Sequence, residues 1–252
     1  NTRLRVEDLV TQRTAELQKA NTQLAKSNMD LEQFAYVASH DLQEPLRKIQ
    51  TFISMVRERD LDNNAADRYM DKVYSSAGRM SQLIQDVLTY SRLSAEDQFT
   101  KVKLDDILDN VLADYELLIK EKEAIIEREP LPVIKGMPLQ IHQLFSNLVS
   151  NALKYSIEKP IIKISAEIVD ISEADGLKQY VKLTFIDNGI GFEAQYSEQI
   201  FKLFQRLHGK TEFSGTGIGL SICKKITDQH GGKISATSSP GKGATFTILL
   251  PY

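Results

Sequence analysis

The chain carries one cysteine, Cys223, in 252 residues. A single thiol cannot close an intrachain disulfide, which agrees with a reducing, cytoplasmic setting for this core. No run of about 18 apolar residues occurs, so no segment reads as a membrane-spanning helix, and no secretory leader pattern precedes the first helix. A basic excess is also missing. Lys and Arg total 31 against 34 Asp and Glu, for a net charge of -3, which argues against a nucleic-acid footprint. What remains, 42% hydrophobic and 26% charged residues, is the composition of an ordinary globular protein.

Residues 1 to about 58 read as one long helix. Val10, Leu17, Leu24, Leu31 and Ala38 fall seven apart, and Val6, Ala20 and Phe34 supply part of a second seam. Arg13 and Ser27 interrupt that second seam. The pattern predicts a weak coiled coil over 1–33, which suits a signalling helix and an ordinary dimer stalk equally well, and because the chain opens in mid-pattern, a sensory part is expected upstream. Phe34, Val37, Ala38, Leu42, Leu46 and Ile49 continue one apolar stripe. His40 lies off its centre, so its ring should reach solvent. Asp41 is placed to hold one ring N–H and leave the other nitrogen's lone pair available for attack. Glu44 adds charge one turn on, and Pro45 should bend the helix just after His40. Turn residues near 59–64 precede a second helix over about 65–93. Two helices cannot bury both stripes alone, and pairing two hairpins into a four-helix bundle would; a homodimer is therefore predicted. Gly78 in the second helix suggests a bend or a close helix contact there.

A polar, non-periodic stretch near 94–100 marks a boundary. Beyond it helix and strand patterns mix: a helix over 105–121, a strand at 124–127, a helix from Pro138 to about 155, strands at 161–169 and 180–186 around a polar loop at 170–177, a helix at 217–230, and a closing hairpin of 233–238 and 243–250. The sum is an α+β sandwich, a mixed sheet under helices.

Three stretches of this second part suggest a nucleotide site. Asn147 and Asn151 lie one turn apart on a helix, and amide oxygens suit Mg²⁺ arriving with phosphates; Lys154 is near enough in sequence to contact phosphate. Asp187-Asn188-Gly189-Ile190-Gly191 follows a strand, where glycines admit a flat ligand and a carboxylate can accept from an exocyclic amine. Gly215-Thr216-Gly217-Ile218-Gly219-Leu220 precedes a helix, so its backbone N–H groups and the helix N-terminus favour phosphate. This last stretch lacks the Gly-Lys-Ser/Thr of a P-loop and has no strand immediately before it. Taken singly, these stretches also fit an exposed helix histidine, a polar helix face and plain turns.

Together and in this order, the motifs resemble those of the sensor histidine kinases of two-component systems. His40-Asp41-Leu42-Gln43-Glu44-Pro45-Leu46 is similar to that family's H box, and 147–156 to its N box. Residues 187–191 and 215–220 are similar to its glycine boxes, 200–206 to its phenylalanine box, and 241–246 to its last glycine-containing turn. The resemblance covers about 30–252. It implies a dimerisation and phosphotransfer domain over 34–94, forming a four-helix bundle in the homodimer, and a catalytic ATP-binding domain of the gyrase, chaperone and histidine-kinase type over 100–252. It further implies autophosphorylation of His40 assisted by Asp41, with ATP and Mg²⁺ as cofactors, followed by transfer to an aspartate of a response-regulator receiver domain. Mg²⁺ falls to Asn151. Nucleotide contacts fall to Asn147, Lys154, Tyr155, Asp187 (the adenine amine), Gly189, Gly191, Gly215, Gly217, Gly219, Leu220 and Thr245 (the adenine side). Residues 208–214 are the expected lid, with Arg206 and Lys210 as candidate phosphate contacts. The nucleotide domain is expected to swing on the linker near 95–100. One departure stands out: many members carry Thr or Asn where this chain has Glu44, and there it assists dephosphorylation of the regulator. The rival readings are a related-fold ATPase without phosphohistidine chemistry and a degenerate nucleotide-binding scaffold.

Overall fold

The computed structural model describes residues 13–14, 17–18, 21–22, 38–57, 63–93, 98–173, 176–207 and 215–252. The coiled coil expected over 1–33 lies outside them apart from 13–14, 17–18 and 21–22, which are helical, and the lid at 208–214 lies outside them entirely. The chain divides into two units, Asn1–Ser81 and Gln82–Tyr252.

The first unit is a helical hairpin. Helix α1 covers 38–57 and continues through Pro45, and α2 runs Asn63–Arg92. Phe52 of α1 stacks on Tyr69 of α2 at 5.9 Å, with the Lys72 ammonium 5.3 Å from the Phe52 ring centre. Ala38, Pro45 and Ser76 are also buried, but Leu46, Ile53, Met70 and Tyr74 are exposed. Among the described residues nothing lies within 4 Å of the position a Gly78 Cβ would take, so no close contact among them accounts for that glycine.

The second unit holds the last turns of α2 and a two-layer sandwich. Strands β2 (Ile125–Arg128), β4 (Ile161–Glu173), β5 (Gly176–Asp187), β6 (Lys233–Ser238) and β7 (Ala244–Pro251) form a sheet in the order β2-β4-β5-β7-β6. All its pairings are antiparallel except β2 with β4. Alternation along each strand sends Val181, Leu183 and Phe185 of β5, and Ala244, Phe246, Ile248 and Leu250 of β7, into the core. Helices α3 (Leu104–Asp114), α5 (Pro138–Lys154) and α6 (Gly219–Gln229) supply the other layer through Leu108, Leu144, Phe145, Ile222 and Ile226, all essentially buried. Phe145 meets Phe185 across the layers at 5.3 Å.

Several boundaries differ from the sequence reading. The expected helix 105–121 is two helices, α3 and α4 (Glu116–Glu121), broken at Tyr115, whose φ of -100° and ψ of 9° lie off the helical values. Its hydroxyl is held by Ser146 at 3.0 Å, a long-range bond invisible in local periodicity. The loop expected at 170–177 is largely strand, since β4 and β5 stay in register out to Glu173 opposite Gly176. A separate two-stranded sheet of β1 (Thr100–Lys103) and β3 (Val133–Gly136) was not foreseen; Thr100-Lys101-Val102-Lys103 holds a single apolar residue, and Val133 and Ile134 are adjacent, so neither stretch shows a clear alternation.

Candidate functional site

Two arrangements carry chemistry, one in each unit. On α1 the His40 side chain is 67% exposed, as its place off the apolar stripe predicts. Its Nδ1 lies 3.1 Å from Asp41 Oδ1. A proton on Nδ1, donated to that carboxylate, leaves the Nε2 lone pair toward solvent. Glu44 pairs with Lys48 at 2.9 Å on the same helix.

The second arrangement is an open cleft between α5, the end of β5 and the start of α6. Asn151 and Tyr155, one turn apart at the end of α5, form one wall, Asp187 and Gly191 another, and Leu220 a third. Asp187 sits at the end of β5, where the sheet stops and the backbone turns. The N–H groups of Gly189 and Ala244 both donate to its Oδ1, at 2.8 and 3.1 Å, which leaves Oδ2 as the oxygen able to accept from a ligand amine. Burial raises the Asp187 carboxyl above the ordinary carboxylate range, while those two donors pull it back. The turn that holds this carboxylate needs Gly243: its φ is 74°, and a Cβ there would lie 1.8 Å from the Asp187 carbonyl oxygen.

The other expected site residues take supporting positions. Asn147 donates from Nδ2 to the Gly219 carbonyl at 3.2 Å and so ties α5 to the start of α6. Lys154 donates to the Tyr155 hydroxyl at 2.9 Å, its ammonium 4.3 Å from that ring's centre. The same Nζ is 2.4 Å from where a Gly215 Cβ would stand, so Lys154 and the glycine loop share one corner. Gly217 has φ 76° and backs directly onto Phe204 and Gln205. Gly189 lies against Tyr155. Arg206 donates to the Gly215 carbonyl at 2.7 Å. Thr245 stands apart: the alternation of β7 puts it on the sheet face opposite Ala244 and Phe246, and those two, not Thr245, wall the cleft. Ile190, Phe192, Ile200, Gln205 and Leu207 also line it. Apolar positions beside the glycines were the sequence signal for Ile190 and Phe192, and the phenylalanine-box resemblance over 200–206 covered Ile200 and Gln205; Leu207 lies just past it.

A sandwich of this topology, with an asparagine pair on α5, a half-buried aspartate at the end of β5 and a glycine loop before α6, defines a nucleotide-binding ATPase-type domain; a helical hairpin with an exposed histidine precedes it. Comparison with known proteins agrees on both parts. Residues 136–252 match the family of histidine kinase-, DNA gyrase B- and HSP90-like ATPases. Residues 30–96 match the His Kinase A (phospho-acceptor) domain. The chain is 37% identical over 249 residues to the phytochrome-like protein Cph1 of Synechocystis, covering 97% of this chain and 32% of that protein. It is 29% identical over 245 residues to the sensor histidine kinase WalK of Bacillus subtilis, covering 92% of this chain and 38% of WalK. Among solved structures, the catalytic domain of histidine kinase ThkA superposes with a TM-score of 0.51 at 27% identity, over 61% of this chain and 95% of that one. The chain belongs to the sensor histidine kinases of two-component systems. It spans about a third of the length of the curated phytochrome relatives it matches. Among the described residues no helix is long and apolar enough to cross a membrane.

Proposed function

We propose that this chain is the catalytic core of a protein-histidine kinase that phosphorylates His40 from ATP and passes the phosphoryl group to an aspartate of a response-regulator receiver domain. The observation that carries this reading is an exposed imidazole with Nδ1 against a carboxylate, on the same chain as a cleft built around a half-buried aspartate. Residues 34–94 serve as the dimerisation and phosphotransfer domain, 100–252 as the catalytic domain, and 1–33 as the signalling helix.

ATP enters with its adenine amine toward Asp187 Oδ2 and its phosphates toward the loop of Gly215, Gly217 and Gly219. Asn151, Asn147, Lys154, Tyr155, Gly189, Gly191 and Leu220 shape and line that path, with Thr245 behind the sheet. The donor set fits Mg²⁺ carried on phosphates. Asn151 offers a hard amide oxygen in the cleft, and among the described residues no group of three His, Cys, Asp or Glu is placed to hold a metal by itself. When bound, Mg²⁺ neutralises phosphate charge. Asp41 accepts the Nδ1 proton of His40 in a hydrogen bond, so Nε2 presents its lone pair to the γ-phosphorus. The Nε2–P bond forms as the bond from that phosphorus to the β,γ-bridging oxygen breaks, and ADP leaves with the electron pair. The positive charge developing on the ring is stabilised by Asp41. Catalysis is mainly positioning and charge neutralisation. Phospho-His40 then donates to the regulator's carboxylate. Glu44, an anion paired with Lys48, is poorly suited to direct water at a phospho-aspartate, so the chain is expected to be a weak phosphatase.

His40→Gln should abolish acid-labile ³²P labelling from γ-labelled ATP and leave nucleotide affinity unchanged. Labelling that persists in the variant would refute the assignment.

A further inference from the structure

The second unit contains a contact that nucleotide binding alone does not require. The last turns of α2 lie on the glycine loop and on α6, within the unit Gln82–Tyr252. Asp86 is at its centre. Its Oδ1 accepts from Gln82 Nε2 at 2.9 Å, and its Oδ2 accepts the hydroxyl proton of Thr216, between Gly215 and Gly217. A hydroxyl has one proton to give, so Thr216 cannot at the same time donate to a phosphate. Two α6 side chains, one turn apart, complete the contact. Lys225 donates to the Tyr90 carbonyl at 2.8 Å and sits 4.1 Å from the Tyr90 ring centre. Gln229 donates to the Leu93 carbonyl. Tyr90 lies among the last four residues of α2, whose carbonyls have no partner within their own helix. Thus α6 caps α2 while Asp86 engages the loop in front of α6.

We propose that this contact is a nucleotide-sensitive clasp in which the Asp86 carboxylate and the terminal phosphates of ATP compete for the Gly215–Gly219 loop. The inference rests on the reading above that phosphates occupy this loop. Two anions cannot sit together at one hydroxyl donor in front of a helix N-terminus without strong repulsion. Holding the end of α2 therefore disfavours the triphosphate. By the reciprocity of coupled equilibria, the triphosphate must loosen the end of α2 to the same degree. The antagonism grows with the number of phosphates and is nearly absent for AMP, whose single phosphate stays near the sugar.

The test is calorimetric titration of the full 252-residue chain and its Asp86→Asn variant with AMP, ADP and a non-hydrolysable ATP analogue, each with Mg²⁺. Asparagine keeps the size and an acceptor for Thr216 but removes the charge. The analogue should bind Asp86→Asn at least about five-fold more tightly than wild type, ADP less so, and AMP equally. In wild type the analogue should also speed amide exchange at residues 90–93. Equal or weaker binding of the analogue by Asp86→Asn, or an equal gain for AMP, overturns the clasp, as does unchanged exchange. A wild-type chain that binds none of the three nucleotides would instead sink the kinase reading, and the clasp with it.

Discussion

Asp187 combines two properties at odds in most side chains: it is half-buried, yet one oxygen is held by two backbone donors while the other is left to a ligand. Asn at this position would turn an amide N–H toward the adenine amine, donor against donor. A hydrogen bond to a charged group contributes about 1.5–3 kcal/mol, so Asp187→Asn is expected to weaken ATP binding by about ten- to a hundredfold, read by the same titration. His230 shows the opposite use of burial. It is 5% exposed, donates from Nδ1 to the Ile226 carbonyl at 2.8 Å and accepts the Met137 N–H at Nε2, 3.0 Å away. Both nitrogens are thus committed to the neutral ring. Burial lowers its pKa from the ordinary 6.5, with the Ile226 carbonyl opposing. As pH falls through 6.5 the unfolded chain takes up a proton that the folded chain refuses. The stability complete above that pH is therefore lost progressively below it. Denaturant titrations between pH 8 and 5 should show this decline, and a His230→Gln variant should show a shallower one.

Elements rather than residues decide where the sequence was readable. Long periodic segments were: α5 begins at Pro138, where a missing N–H costs nothing in a first turn, and β6 runs over the six residues its alternation predicts. The glycine loops were legible because backbone at φ near +75° leaves glycine as the natural occupant, as at Gly217. Tyr115 was not: its side chain continues the apolar stripe of α3, and the break depends on a partner 31 residues away. Thr245 lies on the face of β7 away from the cleft because a strand's two faces alternate residue by residue, so a motif locates the strand but not the face. The most consequential packing joins elements far apart in sequence. Phe145 of α5 is fully buried against Phe185 of β5. Phe145→Ala is expected to cost about 3–5 kcal/mol of unfolding free energy, measurable by chemical denaturation.

The hairpin alone leaves much apolar surface uncovered. Tyr74 is 84% exposed and Met70 50%, both on α2, while Leu46 and Ile53 are exposed on α1. A second copy would bury these positions in a four-helix bundle. Light scattering after size exclusion should therefore return twice the chain mass. A double variant, Met70→Glu with Tyr74→Glu, should shift it toward the monomer by placing charges where apolar contact is needed.

Cys223 lies at the heart of α6, with no solvent exposure, and its thiol is pushed up to about 12 by burial. At neutral pH it is therefore almost wholly protonated and out of reach of maleimides. Consequently a fluorophore pair needs no background substitution: two cysteines introduced at chosen surface positions, one on α1 and one on β6, would be the ones dyed. Any later reactivity of the native sulfur would then report, as a built-in alarm, that the sandwich had opened.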